Sequence, residues 1–95
     1  MAKSNRATIT RYGHEPTHVI YIRTGAPSTY YVSVRNEKIG VVRRPTGHYW
    51  LANALPGAVP PDSKPYTCRG KDRDTATRVL LSEIDRVHRR LASSS

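Results

Sequence analysis

Acidic residues are scarce in this chain of 95: seven Asp and Glu stand against sixteen Lys and Arg, a formal charge of +9. Phenylalanine is absent, and cysteine, methionine and tryptophan occur once each. The single cysteine, Cys68, excludes an internal disulfide and cannot anchor a zinc ribbon. Apolar runs such as Val79-Leu80-Leu81 are a few residues long, far short of the ~20 that span a bilayer. The basic start at Met1, Lys3 and Arg6 has no apolar stretch behind it, so it does not read as a secretory signal. These absences predict a cytoplasmic protein without membrane contact, held together by its core alone.

That core is small. A chain of this length makes one domain and buries only a little over ~60% of the surface it exposes when unfolded. Six tyrosines and one tryptophan supply the bulk that phenylalanine does not. Such a positive excess repels itself in a compact fold, so an acidic partner is the first expectation. Twelve of the sixteen basic residues are Arg, whose planar multi-donor head suits phosphates and base edges; a codon bias toward Arg explains the same count.

Periodicity predicts an α+β fold: an antiparallel sheet of three to five strands packed on one C-terminal helix. Residues 1–16 read as a flexible basic arm, with Thr8-Ile9-Thr10 a candidate short edge strand, residues 17–92 as a single domain, and residues 93–95 as a disordered tail. His18–Thr24 is rich in β-branched and aromatic residues and stops at Gly25-Ala26-Pro27, a strand and a loop. Thr29–Arg35 alternates, with Tyr30, Val32 and Val34 on one face and Tyr31, Ser33 and Arg35 on the other. A turn at Asn36-Glu37 sends the chain back through Lys38–Arg44. Pairing Arg35 with Lys38 sets Ile39 opposite Val34 and Val41 opposite Val32. His48–Ala52 and Pro65–Arg69 read as further strands, separated by a proline-rich loop at 53–64. Ala76, Leu80, Ile84, Val87 and Leu91 form one helical stripe, capped by Asp74 or Thr75. Trp50 is expected to be the largest core residue.

The opposite sheet face then carries a basic stripe with interleaved tyrosine: Arg23, Tyr31, Arg35, Lys38, Arg43, Arg44 and Arg69, beside Ser33, Val42 and His48. Guanidinium and ammonium groups neutralise phosphates, and tyrosines stack on bases. Arg86, Arg89 and Arg90 sit where cations complement a helix C-terminus. His14 and His18 have ligand spacing for a helix, but Pro16 between them breaks one, so no metal site is predicted. Cys68 reads as a packing residue. No nucleophile, base and oxyanion site assemble and no phosphate-binding Gly loop is present, so no catalytic residue and no cofactor are predicted. The reading is a non-enzymatic module that binds nucleic acid, with duplex DNA as the first target. The alternatives are a module that binds an acidic host protein and modulates its activity, or a small structural protein kept soluble by its charge. The oligomeric state stays open.

The runs YYVSVRNEKIGVVRRPTGHYWLA and PYTCRGKDRDTATRVLL resemble AP2-like and integrase arm-type DNA-binding domains, three antiparallel strands and a C-terminal helix. Tyr66-Thr67 and Ala76 occupy the family's aromatic-threonine pair and its early helical alanine. The resemblance implies a sheet face in the major groove, with contacts from Arg35, Lys38, Arg44 and Tyr31. An extra N-terminal strand and the proline-rich insertion depart from that pattern. The order Ile39-Gly40-Val41, Trp50-Leu51-Ala52, Tyr66-Thr67 is also similar to small proteins of actinobacteria and their phages, which implies a phage accessory protein acting in the bacterial host cytoplasm.

Overall fold

A computed structural model describes residues 5–93, with side chains through residue 90. Six strands follow one another, β1 (Arg6–Ile9), β2 (Thr17–Arg23), β3 (Thr29–Val34), β4 (Glu37–Arg43), β5 (Trp50–Ala54) and β6 (Cys68–Gly70), before the helix α1 (Arg73–Ser93). Each strand pairs antiparallel with the next, so the order in the sheet is the order in the chain. The α+β class and the single C-terminal helix agree with the sequence reading; the sheet has six strands rather than three to five. The additional one comes from the expected arm, where Arg6–Ile9 pairs with β2 and Ile9 is buried in the core. This strand overlaps the candidate Thr8-Ile9-Thr10 and takes the expected edge place, but begins at Arg6 and ends at Ile9. Residues 1–4 of that arm and 94–95 of the expected tail lie outside the described residues, and α1 continues to Ser93.

The central hairpin turns one residue earlier than the sequence suggests. Arg35 and Asn36, not Asn36 and Glu37, occupy the turn, with φ of 54° and 66°. Two consecutive left-handed residues give the turn whose twist matches the flanking strands. Val34 therefore pairs with Glu37 and Ser33 with Lys38. Ile39 is then passed over at a bulge, and Val32 meets Gly40 while Tyr30 meets Val42. The expected pairs Val34–Ile39 and Val32–Val41 are not formed. Because side chains alternate across a strand, this shift buries Val42 in the core and turns Val41 to the other face.

The core lies between one sheet face and α1. Val19, Tyr21, Val32, Val42, Ala52 and Cys68 meet Ala76, Leu80 and Leu81. The helical stripe is as expected at Ala76, Leu80, Ile84 and Val87 and is widened by Thr77 and Leu81; the Leu91 side chain lies outside the described residues. Tyr21, not Trp50, is the largest fully buried side chain. Its hydroxyl donates to the Asp74 carboxylate (2.8 Å) and lies 2.9 Å from Thr77 Oγ1, which is why a phenol is tolerated there. Trp50 is half-buried, with the Arg44 guanidinium 5.6 Å from its ring centre. The helix cap is Asp72, whose Oδ1 accepts the Thr75 N–H at 2.7 Å, rather than Asp74 or Thr75. Asp74 is occupied by Tyr21.

Strand β5 runs over Trp50–Ala54 and β6 over Cys68–Gly70, each shifted toward the C-terminus from its expected span. At Gly70 the sheet touches the helix backbone: a Cβ there would lie 2.8 Å from Ala76 Cα. Gly70→Ala is expected to cost about 1–3 kcal/mol by forcing the two backbones apart. At about 4–8 °C per kcal/mol in a domain of this size, a circular-dichroism melt reads the loss directly.

The proline-rich loop folds back on the helix side. Leu55 N–H donates to Ile39 O (2.9 Å), the Ala58 carbonyl lies 3.0 Å from His88 Nε2, and Tyr66 N–H donates to Glu83 Oε2 (2.8 Å). Glu83 is buried and also receives two bonds from Arg86, at 2.7 and 2.8 Å. The Arg86 bonds, helped by the Tyr66 amide, hold its carboxyl below the ordinary value of 4.5 against the opposing effect of burial. The Thr75 N–H likewise holds Asp72 below its ordinary 3.8. A carboxyl depressed in the folded state stabilises fully above its unfolded value, and the stabilisation is lost as pH falls through the folded one. The melting temperature is therefore expected to be level from neutral pH to about 5 and to fall below it; melts of Glu83→Gln should show a shallower acid decline.

Candidate nucleic-acid interface

The face of the sheet turned away from α1 is built by register. Arg6 pairs with Ile20, Ile20 with Ser33, and Ser33 with Lys38, which makes one row. Ile22, Tyr31, Val41 and Asn53 make the next. Thr29, Arg43, Leu51 and Arg69 make a third. Four of the seven predicted contact residues, Tyr31, Lys38, Arg43 and Arg69, thus share one face. Lys38, Arg43 and Arg69 are exposed and Tyr31 is half-buried.

The other three are elsewhere. Arg35 sits in the β3–β4 turn. Arg23 pairs with Tyr30 and so has the parity of the core-facing Tyr21; Arg44 follows β4 and lies over Trp50. Both belong to the helix side, at the sheet end where Arg73 lies 4.0 Å from the Tyr21 ring centre and 5.1 Å from that of Tyr30. The earlier turn is the cause for Arg35, and the extra residue at the Ile39 bulge, which exchanges the faces beyond it, is the cause for Arg44. Arg23 follows from the alternation of β2.

Charge is segregated across the sheet. Asp72, Asp74, Glu83 and Asp85 lie on or just before α1, and Glu15, Glu37 and Asp62 lie in connecting segments or at a strand start. None occupies a position in the three rows. The pairs Arg11–Asp85, Arg86–Glu83 and His14 with Asp85 at 4.0 Å lie on the helix side. Lys38, Arg43 and Arg69 have no carboxylate partner among the described residues. Two of them rest on tyrosines instead: Lys38 Nζ is 4.5 Å from the Tyr31 ring centre and the Arg69 guanidinium 4.1 Å from that of Tyr49. Those cation–π contacts hold the charges on the face without neutralising them.

Sequence reasoning passes over Ile20, Ile22 and Tyr49. The first two are more than a third exposed, at 39% and 37%, beside the cations. The signal is present in the run Val19-Ile20-Tyr21-Ile22, which is apolar on both strand faces where a strand with one solvated face should alternate. His48, expected beside the stripe, lies in the loop before β5.

A second feature is an open cleft of about 1050 Å³ where the β1–β2 loop meets the β3–β4 turn. Its cations Arg6, Arg11 and Arg35 are accompanied by Glu15, Glu37 and Asp85, so it lacks the one-sided charge of the sheet face. His14 turns toward Asp85, while His18 lies 3.2 Å from Thr8 Oγ1. Cys68 is buried, and burial pushes its thiol up to about 11, with Glu83 adding to the effect. That keeps it protonated and weakly nucleophilic at neutral pH. No helix is long and apolar enough to cross a membrane among the described residues. Comparison with family models, with curated proteins and with solved structures finds no match to this chain.

Proposed function

We propose that this protein is a non-enzymatic nucleic-acid-binding module that receives its ligand on the sheet face opposite α1. The observation that supports the reading is the sorting of charge: Lys38, Arg43 and Arg69 stand on that face without a carboxylate in its rows, while the paired acids are on the other side. A protein gains nothing in stability from an acid-free basic face, because its cations repel one another; a polyanion releases counterions when it lies there. The proline-rich loop is tied to α1 and β4, and Lys38, Arg43 and Arg69 stay exposed.

Fluorescence anisotropy with a labelled 20-mer at 50 and 200 mM salt tests the reading. Three phosphate contacts give a slope of log affinity on log salt of about −2 on single strands and nearer −3 on duplex. Affinity should then drop at least about 15-fold over that range. Binding that ignores salt removes the proposal. An acidic protein partner is the second reading, favoured by β1, a sheet edge to which an extended segment can add as a strand. Complexes that persist after nuclease treatment and are abolished by proline substitution at Thr8 would select it.

A further inference from the structure

The geometry points to an unpaired polynucleotide strand, rather than a duplex, as the ligand of this face; this rests on the nucleic-acid reading above and narrows it. Three observations carry it.

The first is width. Strands lie about 4.8 Å apart, so six of them span about 24 Å, whereas the major groove is about 12 Å wide and admits a helix or a two-stranded ribbon. The β3–β4 hairpin is flanked by β2 on one side and β5 on the other. It cannot enter a groove without them, so the face can only lie against a duplex from outside.

The second is what lies between the charges. The row Ile22–Tyr31–Val41 separates Lys38 in one neighbouring row from Arg43 and Arg69 in the other. Rows on one face are about 7 Å apart along a strand. The outside of a duplex would press hydrated phosphates and sugars onto that apolar row. An unpaired strand instead offers a π-face from every base together with a phosphate for each cation, so bases settle on the apolar row while the backbone follows the charges.

The third is the state of the two aromatic rings. Lys38 covers Tyr31 and Arg69 covers Tyr49 at 4.5 and 4.1 Å. In each pair a cation and a ring lie together, as a nucleotide needs them. When the phosphate draws the cation aside, the ring is left for the base. This pairing is sequence-tolerant, since the phosphate and the π-face are common to all nucleotides, and it contains no 2′-hydroxyl-specific element, so RNA and DNA strands are bound alike.

The test is anisotropy on the full chain with labelled rU20, dT20 and a 20-base-pair DNA duplex at 50 mM salt. Both single strands should bind at least tenfold tighter than the duplex. Tyr31→Ala should weaken single-strand binding about tenfold, in the range set by losing one stacked base, with the salt slope unchanged. Tyr31→Phe should restore it. Arg43→Gln should reduce the slope by about 0.7. The wild-type comparison needs no variant to fold. Equal or tighter binding of the duplex overturns the inference and leaves the nucleic-acid reading standing. Failure of all three probes to bind at 50 mM overturns both.

Discussion

Leu80→Ala is expected to cost about 3–5 kcal/mol, a large share of the about 5–15 kcal/mol that keeps a domain of this size folded. Leu80 is fully buried at the centre of the sheet–helix contact. Its position is fixed by Gly40: a Cβ at residue 40 would lie 2.6 Å from Leu80 Cδ2 and 2.8 Å from the Asn53 carbonyl oxygen. The leucine fills a notch that only glycine leaves open. Gly40→Ala alone should therefore destabilise by about 1–3 kcal/mol through overpacking. In the double variant the new methyl enters the space the leucine vacated, although the Asn53 carbonyl still crowds it. The two losses should fall short of their sum by about 1 kcal/mol or more. Urea denaturation of the four proteins measures this; additivity to within about 0.5 kcal/mol would mean that the contact is not there.

The second large effect concerns ligand binding. Arg43→Glu with Arg69→Glu should weaken binding of a labelled oligonucleotide about 100-fold or more at 50 mM salt, since each charge-assisted contact contributes about 1.5–3 kcal/mol. The decisive control carries the same change in net charge on the helix side: Arg23→Glu with Arg44→Glu. Net charge alone predicts equal losses. A ligand seated on the face opposite α1 predicts that the control loses only a fewfold, through the weakened long-range field. Equal losses in the two doubles would place the effect in the total charge and not in the face. All four arginines are exposed, and none is ion-paired to a carboxylate among the described residues. Each double gives up one cation–π contact, Arg69 with Tyr49 or Arg44 with Trp50, so the two should lose a similar stability of about 1 kcal/mol or less.

These two experiments also mark what the sequence discloses. The helix was legible because Ala76, Leu80, Ile84 and Val87 repeat with its period and because α1 has one covered face. The sheet class was legible from the alternation in Thr29–Val34. Register was not. Asn36 is a turn former in either frame, and nothing local says that Arg35 rather than Glu37 takes the second left-handed position. The earlier turn moves the pairing by two residues and keeps every face. It is the extra residue at Ile39 that exchanges the faces beyond it, so both frames leave apolar residues inward somewhere. The cost of missing the bulge falls on the face assignments of Val41, Val42 and Arg44, since a one-residue slip exchanges the faces. Tyr31 and Lys38 take the open face in either frame, and Arg43 joins them through the bulge. The tertiary partners of Tyr21 and Glu83 were hidden for another reason: Asp74 and Thr77 are 53 and 56 residues from Tyr21, beyond any local pattern.

Cys68 gives the molecule a built-in clock. The thiol lies under the helix, between Ala52 on the neighbouring strand and the core, and it is the chain's only one. A disulfide reagent reaches it only when β6 and α1 part. Because no other sulfhydryl competes for the reagent, the rate of colour release in native buffer reports how often that junction opens, without a label having to be introduced.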